Sequence, residues 1–457
     1  MAKEFSRMFL VLPEIRELLS QNKKKELKKL FYHYEPIEAV EILRKFNLKD
    51  KVSLFSSWDV DFAADVFEKV DKDDQVELLG AFNETRKGEI LDELAPDERV
   101  DFFEQLPKKM VARFLAIMEK EEAQDVRELM RYDKKTAGGR MTTDFAQIEE
   151  GIGIGETLKT LRRTAKDLEM VYYIYVVDRA DKLLGVVSLK DLIMAEPEKK
   201  IDEVMHTKLI TIPIDMDQEI VAKRIAKYDF LALPVVDNEQ KMKGIITVDD
   251  LIDVIREENT EDMYKFGAAG KHTEDYLSMK PFSMAKHRMT WLLILVITGF
   301  VSSIILERFP FTLKKWLPLA FFIPLLMGTG GNAGIQAASV MVRSLATGEV
   351  RRRDIWKVIK KEFLVGIMIG VGLGLLALIR AFTLQTSFPL YPLALTVGLS
   401  MIATVTIATS LGSALPIIFE KLGFDPAVAS GPLITTVVDI TSLLIYFEIA
   451  RRILGFG

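Results

Sequence analysis

Five long stretches with almost no charged side chains, all beyond residue 288, set the strongest limit on how this chain can fold. Each has 17 to 27 residues, and about 20 apolar residues are enough for a helix to cross the hydrocarbon core of a bilayer. We therefore predict five membrane-spanning helices rather than buried helices of a soluble protein. The stretches are Met289–Leu306, Trp316–Val342, Phe363–Ile379, Leu393–Phe419 and Ala427–Phe447, and the last contains a single charge, Asp439.

The charges of the chain are divided unevenly. Residues 284–457 contain 16 basic and 8 acidic side chains, a net charge of +8, whereas residues 1–283 have a net charge of −13. By the positive-inside rule, the basic loop between the second and third stretches is cytoplasmic. The N-terminal part is then cytoplasmic and the C-terminus extracytoplasmic, in a multi-pass protein of the inner or plasma membrane. The basic residues of that loop are Arg343, Arg351, Arg352, Arg353, Lys357, Lys360 and Lys361.

The composition excludes several kinds of chemistry. The chain has no cysteine, which rules out disulfides, thiol catalysis, iron–sulfur clusters and Cys-type zinc sites. We find no arrangement typical of a catalytic centre, so we expect no enzyme activity. The acidic N-terminal part favours cations over nucleic acids, and Met1–Leu19 lacks the apolar core of a signal peptide. The four histidines do not have the spacing of metal ligands: His33, His206, His272 and His287.

The N-terminal part divides into two regions of different character. Residues 1–135 contain short apolar runs with helical spacing, repeated about every 20–25 residues, which predicts a small helical solenoid. Residues 140–255 contain β-rich runs followed by turns and helix starts. Aligning Ser188 with Thr247 gives a period of 59 residues, so we predict two paired copies of one α/β unit. The glycine run at residues 151–155 lacks the spacing of a dinucleotide-binding turn, and we predict a loop with no strand before it.

Asp439 is the most informative residue for function. A charged side chain at the centre of a membrane helix costs at least about 2.5–3.5 kcal/mol, so it usually faces a pathway or a partner. Thr435, Thr436 and Ser442 lie one helical turn away and form a polar stripe with it. We interpret Asp439 as a cation site in a pore. The alternatives are a structural hydrogen bond and a proton relay.

The second stretch contains many small residues. Its glycines allow helices to approach closely or expose backbone carbonyls, and the amides of Asn332 and Gln336 share one helix face. Plain small-residue packing is the alternative for the glycines. In the third stretch, glycines at four-residue spacing predict helix packing; these are Gly366, Gly370 and Gly374. The residues that we expect to line the pore are Gly328, Gly331, Asn332, Gly431, Thr435 and Thr436.

Taken together, these motifs resemble those of the MgtE-type magnesium channel family. The segment Thr136–Thr143 resembles the family's link between its N domain and its CBS pair, and the 59-residue repeat resembles two CBS domains. The segments Gly328–Gln336 and Asp425–Asp439 resemble its pore helices. The resemblance implies a multidomain fold: an α-helical N-terminal superhelix at 1–135, α/β CBS domains at 136–200 and 201–256, a connecting plug helix and linker at 257–283, and an all-α pore domain with five spans at 284–457.

The resemblance also implies a homodimer in which ten helices surround one pore. Asp439 matches the family's pore aspartate, so each dimer would present two carboxylates. Mg²⁺ prefers octahedral oxygen ligands and loses its water reluctantly, so such a pair can hold the hydrated ion. Gly431 stands where some members have an asparagine, which leaves a carbonyl contact there in place of a side-chain contact.

Gating, by the same resemblance, depends on Mg²⁺ bound to acidic residues of the cytoplasmic part; the alternative is that these residues are solvated surface. The Ser/Thr–Asp pairs of the repeat match the CBS position that can bind a nucleotide ribose, which makes ATP a candidate second ligand. The candidate nucleotide-binding residues are Ser188, Asp191, Thr247 and Asp250. The candidate metal ligands, besides Asp439, are Asp97, Asp101, Asp229, Asp250, Asp253, Glu258, Glu261, Asp262 and Asp425.

The function that these expectations favour is a Mg²⁺-selective channel for passive influx, closed by Mg²⁺. Two other readings stay open. One is a carrier that exchanges Mg²⁺ for H⁺ or Na⁺ at Asp439. The other is a membrane-tethered metal or nucleotide sensor that transports nothing.

Overall fold

The structure, a computed structural model, describes residues 9–166, 168–270, 279–429 and 431–455. Its internal contacts divide the chain into two units, Met1–Ile255 and Arg256–Gly457. The central part of the predicted linker, with Lys271 and His272, lies outside the described residues. So do residues 1–8 of the segment Met1–Leu19, for which we predict no signal peptide.

The first unit opens with a run of short α-helices, as the apolar spacing predicts. Asn47 and Asn83 cap two of them by accepting hydrogen bonds from backbone N–H groups three residues later, at 3.0 and 2.8 Å. Pro36 and Pro96 lie in the first turn of two others, where a missing N–H costs nothing. The helices are α1 (Leu12–Ser20), α2 (Lys24–Phe31), α3 (Pro36–Leu43), α4 (Leu48–Phe55), α5 (Val60–Glu68), α6 (Lys72–Ala81), α7 (Glu84–Glu93), α8 (Pro96–Glu104), α9 (Lys108–Phe114) and α10 (Lys120–Leu129).

Two three-stranded sheets follow, with the orders β1-β2-β3 and β4-β5-β6. In each sheet the first pair of strands is parallel and the second antiparallel. Tyr173 pairs with Ser188 in the first sheet and Ala232 with Thr247 in the second, which confirms the 59-residue repeat at the level of strand register. The elements are β1 (Phe145–Glu149), α11 (Ile154–Thr164), β2 (Met170–Val177), β3 (Leu183–Ser188), α12 (Leu189–Met194), β4 (Ile212–Pro213), α13 (Gln218–Tyr228), β5 (Ala232–Val236), β6 (Met242–Thr247) and α14 (Val248–Phe266).

The hydrophobic cores fix how the parts of this unit meet. One core runs without a break from the helices of the N domain into the second CBS unit, where it includes Ile246 and Leu251. A separate core lies between the two sheets and joins Tyr175 and Val177 of β2 to Val236 of β5. The first core therefore holds α8 and the start of α14 in one packed body.

The prediction for the glycine run at residues 151–155 was wrong in part. Strand β1 ends at Glu149, directly before the run, and α11 begins inside it at Ile154. Only Gly151 has a positive φ, at 81°, and it makes the turn between the two elements. The strand escaped detection because it is short and only alternate residues are buried.

Within the described residues of the second unit, five helices are long and apolar enough to span a membrane, which confirms the number of predicted spans. They are longer than the uncharged stretches, since the helices continue into charged flanks. A short helix between the first two spans was not predicted. The helices are α15 (Pro281–Glu307), α16 (Pro310–Lys315), α17 (Ile323–Ala346, preceded by a 3₁₀ helix at Leu317–Phe322), α18 (Ile355–Phe382), α19 (Leu390–Lys421) and α20 (Gly431–Leu454).

Glycines set the spacing of these helices. A Cβ atom at Gly366 would lie 2.7 Å from the Cα of Thr406, and one at Gly370 would lie 3.0 Å from the Cα of Ile402. With Gly374, they form the surface of α18 that packs on α19, as their four-residue spacing predicts. Membrane helices rely on such close contact because lipid supplies no hydrophobic force between them.

Gly412 gives a sharp test of this packing. A Cβ atom there would lie 2.2 Å from the carbonyl oxygen of Gly334 on α17, whereas one at Gly372 would meet nothing within 4 Å. Both changes to alanine remove the helix penalty of glycine, so only the collision differs between them. We expect Gly412→Ala to lose about 1–3 kcal/mol of stability and to melt earlier in detergent, with Gly372→Ala as the control. Equal melting temperatures would contradict the close contact.

Candidate functional site

An acidic cluster forms where the first turns of two helices meet in the first unit. We use this name for Asp97 and Glu98 of α8, Asp250 of α14, and Glu169, which lies just before β2. Asp97 and Asp250 lie close enough together for the charge of Asp250 to disfavour ionisation of Asp97. Asp250 Oδ2 also accepts hydrogen bonds from the hydroxyl and the backbone N–H of Thr247, at 2.5 and 3.2 Å. The predicted ligands Asp97 and Asp250 are thus brought together from distant parts of the sequence.

Every carboxyl group of the acidic cluster is hard to ionise. Burial, and then the charge of Asp250, raise the pKa of Asp97 well above its usual range. Burial and the neighbouring Glu68 raise the pKa of Glu98 to about 8, and burial and Asp250 raise the pKa of Glu169 to about 7. Burial likewise raises the pKa of Asp250. Close carboxylates in a partly dry site repel, so the cluster needs protons or cations to stay compact.

The acidic cluster fits a divalent cation in its donor chemistry. Asp97 Oδ1 is buried and has no hydrogen-bond partner among the described residues. Within that same part of the chain, no group of three or more His, Asp or Glu side chains has the arrangement of a ready metal cage. Mg²⁺ commonly binds through one or two carboxylates and keeps several waters, so a pair of carboxylates is a sufficient site.

The other predicted ligands of the first unit have different surroundings. Asp101 lies one turn beyond Asp97 on α8, but its carboxylate faces Arg140 at 3.7 Å and Lys72 at 3.9 Å. Asp229 is exposed and ends α13 with a left-handed φ of 54°. Asp253 is close enough to Lys69 to help raise the pKa of that lysine: burial lowers this pKa, but Glu68, then Glu98 and Asp253, raise it by more. Sequence reasoning missed Glu98 and Glu169, because their importance comes from burial beside Asp97 and Asp250.

In the second unit, a lysine joins the end of α14 to the segment before the last span. Lys265 Nζ lies 2.8 Å from Glu261 Oε1 and 2.5 Å from Asp425 Oδ2. Asp425 Oδ1 also accepts a hydrogen bond from the backbone N–H of Ala427 at 2.8 Å. Two predicted metal ligands are therefore partners of one ammonium group in this structure. Glu258 and Asp262 lie on the same helix, partly buried.

A cavity of about 400 Å³ opens between the two sheets of the first unit. Ser188 and Asp191 line it, as predicted for a nucleotide site, with Lys208 nearby on its wall. The Ser188 hydroxyl donates to Asp191 Oδ2 at 2.6 Å, and His206 Nε2 lies 3.3 Å from the same oxygen. These contacts hold the pKa of Asp191 below its usual value, so it is an ionised acceptor.

The second Ser/Thr–Asp pair of the repeat is placed differently. Thr247 and Asp250 make the same local hydrogen bond as Ser188 and Asp191, but Asp250 faces Asp97 and is not among the residues that line the cavity. The aromatic walls of the cavity, Tyr173, Tyr175 and Phe230, were not singled out from the sequence. Tyr173 and Tyr175 are alternate residues of β2, which was the available signal for these two.

Asp439 lies eight residues into α20, about 12 Å along its axis. Its side chain is half-buried and makes no ion pair or hydrogen bond within the described part of the chain. One turn earlier, the hydroxyls of Thr435 and Thr436 donate to the carbonyl of Pro432 at 2.8 and 2.9 Å. The polar stripe predicted from the sequence therefore exists, with an unpartnered carboxylate in it.

The other predicted pore residues have two different settings. Gly328 and Asn332 are exposed on one face of α17, and a Cβ atom at Gly328 would meet nothing within 4 Å. Gly331 is buried, and a Cβ atom there would lie 3.1 Å from Thr435 Cγ2. Gly431 is buried where α20 begins, with Ile335 and Phe266 as its neighbours. Gly331 thus has the close packing role that was the alternative for the glycines.

The fold and these sites define a multi-pass membrane protein whose soluble part combines a helical domain with a pair of CBS domains. Family comparison agrees: residues 34–135 match the MgtE intracellular N domain, residues 137–198 and 201–257 match the CBS domain, and residues 323–449 match MgtE, described as a divalent cation transporter. The chain belongs to the MgtE family of divalent cation transporters.

Curated relatives cover most of the chain. It is 43% identical to the magnesium transporter MgtE of Thermus thermophilus over 331 residues, which are 72% of each chain. It is 40% identical to the magnesium transporter MgtE of Bacillus subtilis over 336 residues, 74% of this chain and 73% of that one.

Solved structures match the soluble part. One is the soluble part of a magnesium transporter, 32% identical, with a TM-score of 0.52 over 55% of this chain and 99% of that one. Another is the cytosolic domain of the Mg²⁺ channel MgtE in complex with ATP, 33% identical, with a TM-score of 0.51 over 53% of this chain and 99% of that one.

Proposed function

We propose that this chain forms a Mg²⁺-selective channel for passive influx, which closes when Mg²⁺ binds to its acidic cytoplasmic residues. The observation that carries the proposal is the half-buried, unpartnered carboxylate of Asp439 within a span, as far as the described residues extend. A charge at that depth is costly unless it serves a pathway, and a carboxylate attracts a hard divalent cation. The names of the curated relatives support magnesium as that cation.

The channel is a homodimer in this proposal, so that two copies of Asp439 face one pathway. The exposed face of α17 with Gly328 and Asn332 supports this, since polar and small residues seldom face lipid without a partner helix. Two carboxylates can hold Mg²⁺ through its waters without stripping them, which lets the ion leave again.

Passive influx needs no catalytic machinery. The basic residues at the end of α17, at the start of α18 and in the loop between them favour a cytoplasmic N-terminal part by the positive-inside rule. With that orientation, an inside-negative potential draws a divalent ion inward with about 4.6 kcal/mol per 100 mV. This is enough to drive uptake without ATP hydrolysis, so the protein has no enzymatic function in this proposal.

The acidic cluster is the regulatory cation site in the proposal. Asp97 and Asp250 would hold Mg²⁺ in this proposal. Without Mg²⁺, the carboxyl groups of the acidic cluster have to bind protons to limit their mutual repulsion, and bound Mg²⁺ would replace those protons. Close carboxylates repel by about 4 kcal/mol per pair at 4 Å with an effective dielectric of 20, so their ionisation favours separation of α8 from α14. Glu258 and Asp262, which lie partly buried on the second half of α14, are further candidate Mg²⁺ ligands in the proposal.

ATP is the second ligand in the proposal, held in the cavity between the sheets. Ser188 and Asp191 would bind the ribose, and Lys208 lies on the same wall to meet phosphate. The solved complex of a related cytosolic domain with ATP supports this assignment. Thr247 and Asp250, which lie in the acidic cluster, take no part in it.

Reconstitution tests the transport mechanism. We expect the purified full-length protein in planar bilayers to give unitary current steps carried by Mg²⁺, and millimolar Mg²⁺ on the side of the soluble part to reduce the open probability. Mg²⁺ flux without unitary steps that depends on an H⁺ or Na⁺ gradient would favour the carrier. Binding of Mg²⁺ without any flux would favour the non-transporting sensor.

A further inference from the structure

Helix α18 is longer than the apolar layer of a membrane. Its 28 residues, Ile355–Phe382, extend over about 42 Å, whereas the hydrocarbon core of a bilayer is about 30 Å thick. The uncharged stretch Phe363–Ile379 belongs in that core, so the residues before it, 355–362, extend about 12 Å beyond, which is more than the depth of the headgroup layer. The first two turns of α18 therefore lie among the lipid headgroups.

The segment that enters α18 is strongly basic. Residues 351–362, which we call the basic segment, contain six basic and two acidic side chains, a net charge of +4. Two of the basic side chains have carboxylate partners: Lys357 Nζ lies 3.4 Å from Asp354 Oδ1, and Arg352 Nε lies 3.3 Å from Glu420 Oε1. Their neighbours are exposed, make no ion pair with the described part of the chain, and are thus available to an anion outside the protein. These four are Arg351, Arg353, Lys360 and Lys361.

The outward face of α18 continues from these charges into an apolar surface. The glycines of α18 pack on α19, and on the opposite face Lys360, Leu364 and Met368 follow one another at intervals of one turn. Leu364 and Met368 are 60% and 68% exposed, at the depth of the acyl chains. Trp356, one turn before Lys360, is 71% exposed, and tryptophan is enriched at the headgroup level of membrane proteins. Cations above an exposed apolar surface match the two parts of a phospholipid.

We propose that this face binds an anionic phospholipid, with its phosphate against Arg353, Lys360 and Lys361 and an acyl chain along Leu364 and Met368. Arginine and lysine form charge-assisted hydrogen bonds with phosphate oxygens, and anionic lipid attracts basic side chains that lie near the membrane surface. A zwitterionic lipid offers the same acyl chains, but its phosphate already has a cation beside it. The basic segment therefore selects the lipid by the charge of its headgroup.

Trp356 reports directly on the lipid that occupies this face, because brominated acyl chains quench tryptophan fluorescence on contact. The full-length protein is reconstituted into phosphatidylcholine bilayers that contain increasing fractions of brominated phosphatidylglycerol or, in parallel, of brominated phosphatidylcholine. The signal of Trp356 is the difference between the wild type and Trp356→Phe. We expect brominated phosphatidylglycerol to reach half-maximal quenching at a mole fraction at least about 5-fold lower, which is the preference that one basic side chain near the surface supplies.

Variants of the basic segment test the source of this preference. The triple variant Arg353→Gln, Lys360→Gln, Lys361→Gln should lose the preference, while brominated phosphatidylcholine should still quench Trp356, which shows that the fold is intact. A control with the same change in net charge alters three exposed residues at the other end of the spans and should keep the preference. Its substitutions are Arg308→Gln, Lys314→Gln and Arg380→Gln.

Four results would overturn the proposal. Equal quenching by the two lipids in the wild type would mean that the cations select no headgroup, and no quenching by either lipid would mean that protein covers Trp356. A preference that survives in the triple variant, or that is lost equally in the control, would mean that the basic segment does not hold the lipid. Displacement by soluble glycerol 3-phosphate, beyond that caused by NaCl at the same ionic strength, would assign these cations to a soluble phosphate instead.

Discussion

Asp439→Asn is expected to reduce Mg²⁺ influx into proteoliposomes by at least about 10-fold. At 5 Å, the distance of an ion held through water, a carboxylate and a divalent cation attract by about 1.7 kcal/mol even with the dielectric constant of bulk water, and the proposed dimer would lose two such attractions. The amide has the same size, so the variant changes charge and little else. Influx can be followed with a Mg²⁺-sensitive dye under an inside-negative potential.

Stability separates loss of function from loss of fold in this variant. Since the Asp439 carboxylate has no partner in the described structure, replacing it leaves no other charge uncompensated, and the melting temperature should stay the same or rise. The matched control is Glu448→Gln on the same helix, whose carboxylate instead pairs with Arg451 and Arg452 at 3.0 and 2.7 Å near the helix end. Its influx should equal that of the wild type. Wild-type influx in Asp439→Asn would show that Asp439 is not the cation site of the pathway.

The sequence was sufficient wherever a local pattern decides the structure. Uncharged stretches of membrane length gave all five spans, because a bilayer imposes that length on any helix that crosses it. The 59-residue period predicted from the sequence also holds in the strand register, since Tyr173–Ser188 and Ala232–Thr247 are equivalent pairs. The sequence-based prediction failed for β1, because neither the hydrophobicity nor the length of this segment distinguishes a strand from a loop.

The candidate site depended on long-range packing that no local pattern encodes. Asp191 and Asp250 have equivalent positions in the repeat and the same hydrogen bond to a hydroxyl three residues earlier. Their environments differ because the core of the N domain continues into the second CBS unit and brings Asp97 to Asp250. Glu98 and Glu169 gain their raised pKa values from the same packing, which explains why the sequence alone did not identify them.

Neutralising Asp97, Asp250 and Glu258 together is expected to leave the channel open at Mg²⁺ concentrations that close the wild type. In the proposed mechanism, the channel closes because Mg²⁺ binds between the carboxylates and offsets their repulsion. Amides at these positions bind Mg²⁺ too weakly to have this effect. Removing the charges also removes some repulsion, which by itself favours the compact state. Glu98 and Glu169 remain, however, and Glu68 still repels each of them once they are ionised, so we expect the loss of Mg²⁺ binding to prevail.

The measurement is the open probability of reconstituted channels as Mg²⁺ is raised on the side of the soluble part. The triple variant Asp97→Asn, Asp250→Asn, Glu258→Gln should shift the half-closing concentration upward by at least about 10-fold. A control with the same change in net charge replaces the exposed residues Asp61, Glu121 and Glu198 by their amides and should close as the wild type does. If the control shifts as much as the test variant, closure depends on the total charge of the soluble part. If the test variant is closed even without Mg²⁺, the repulsion among these carboxylates is what holds the channel open, and Mg²⁺ acts by screening it.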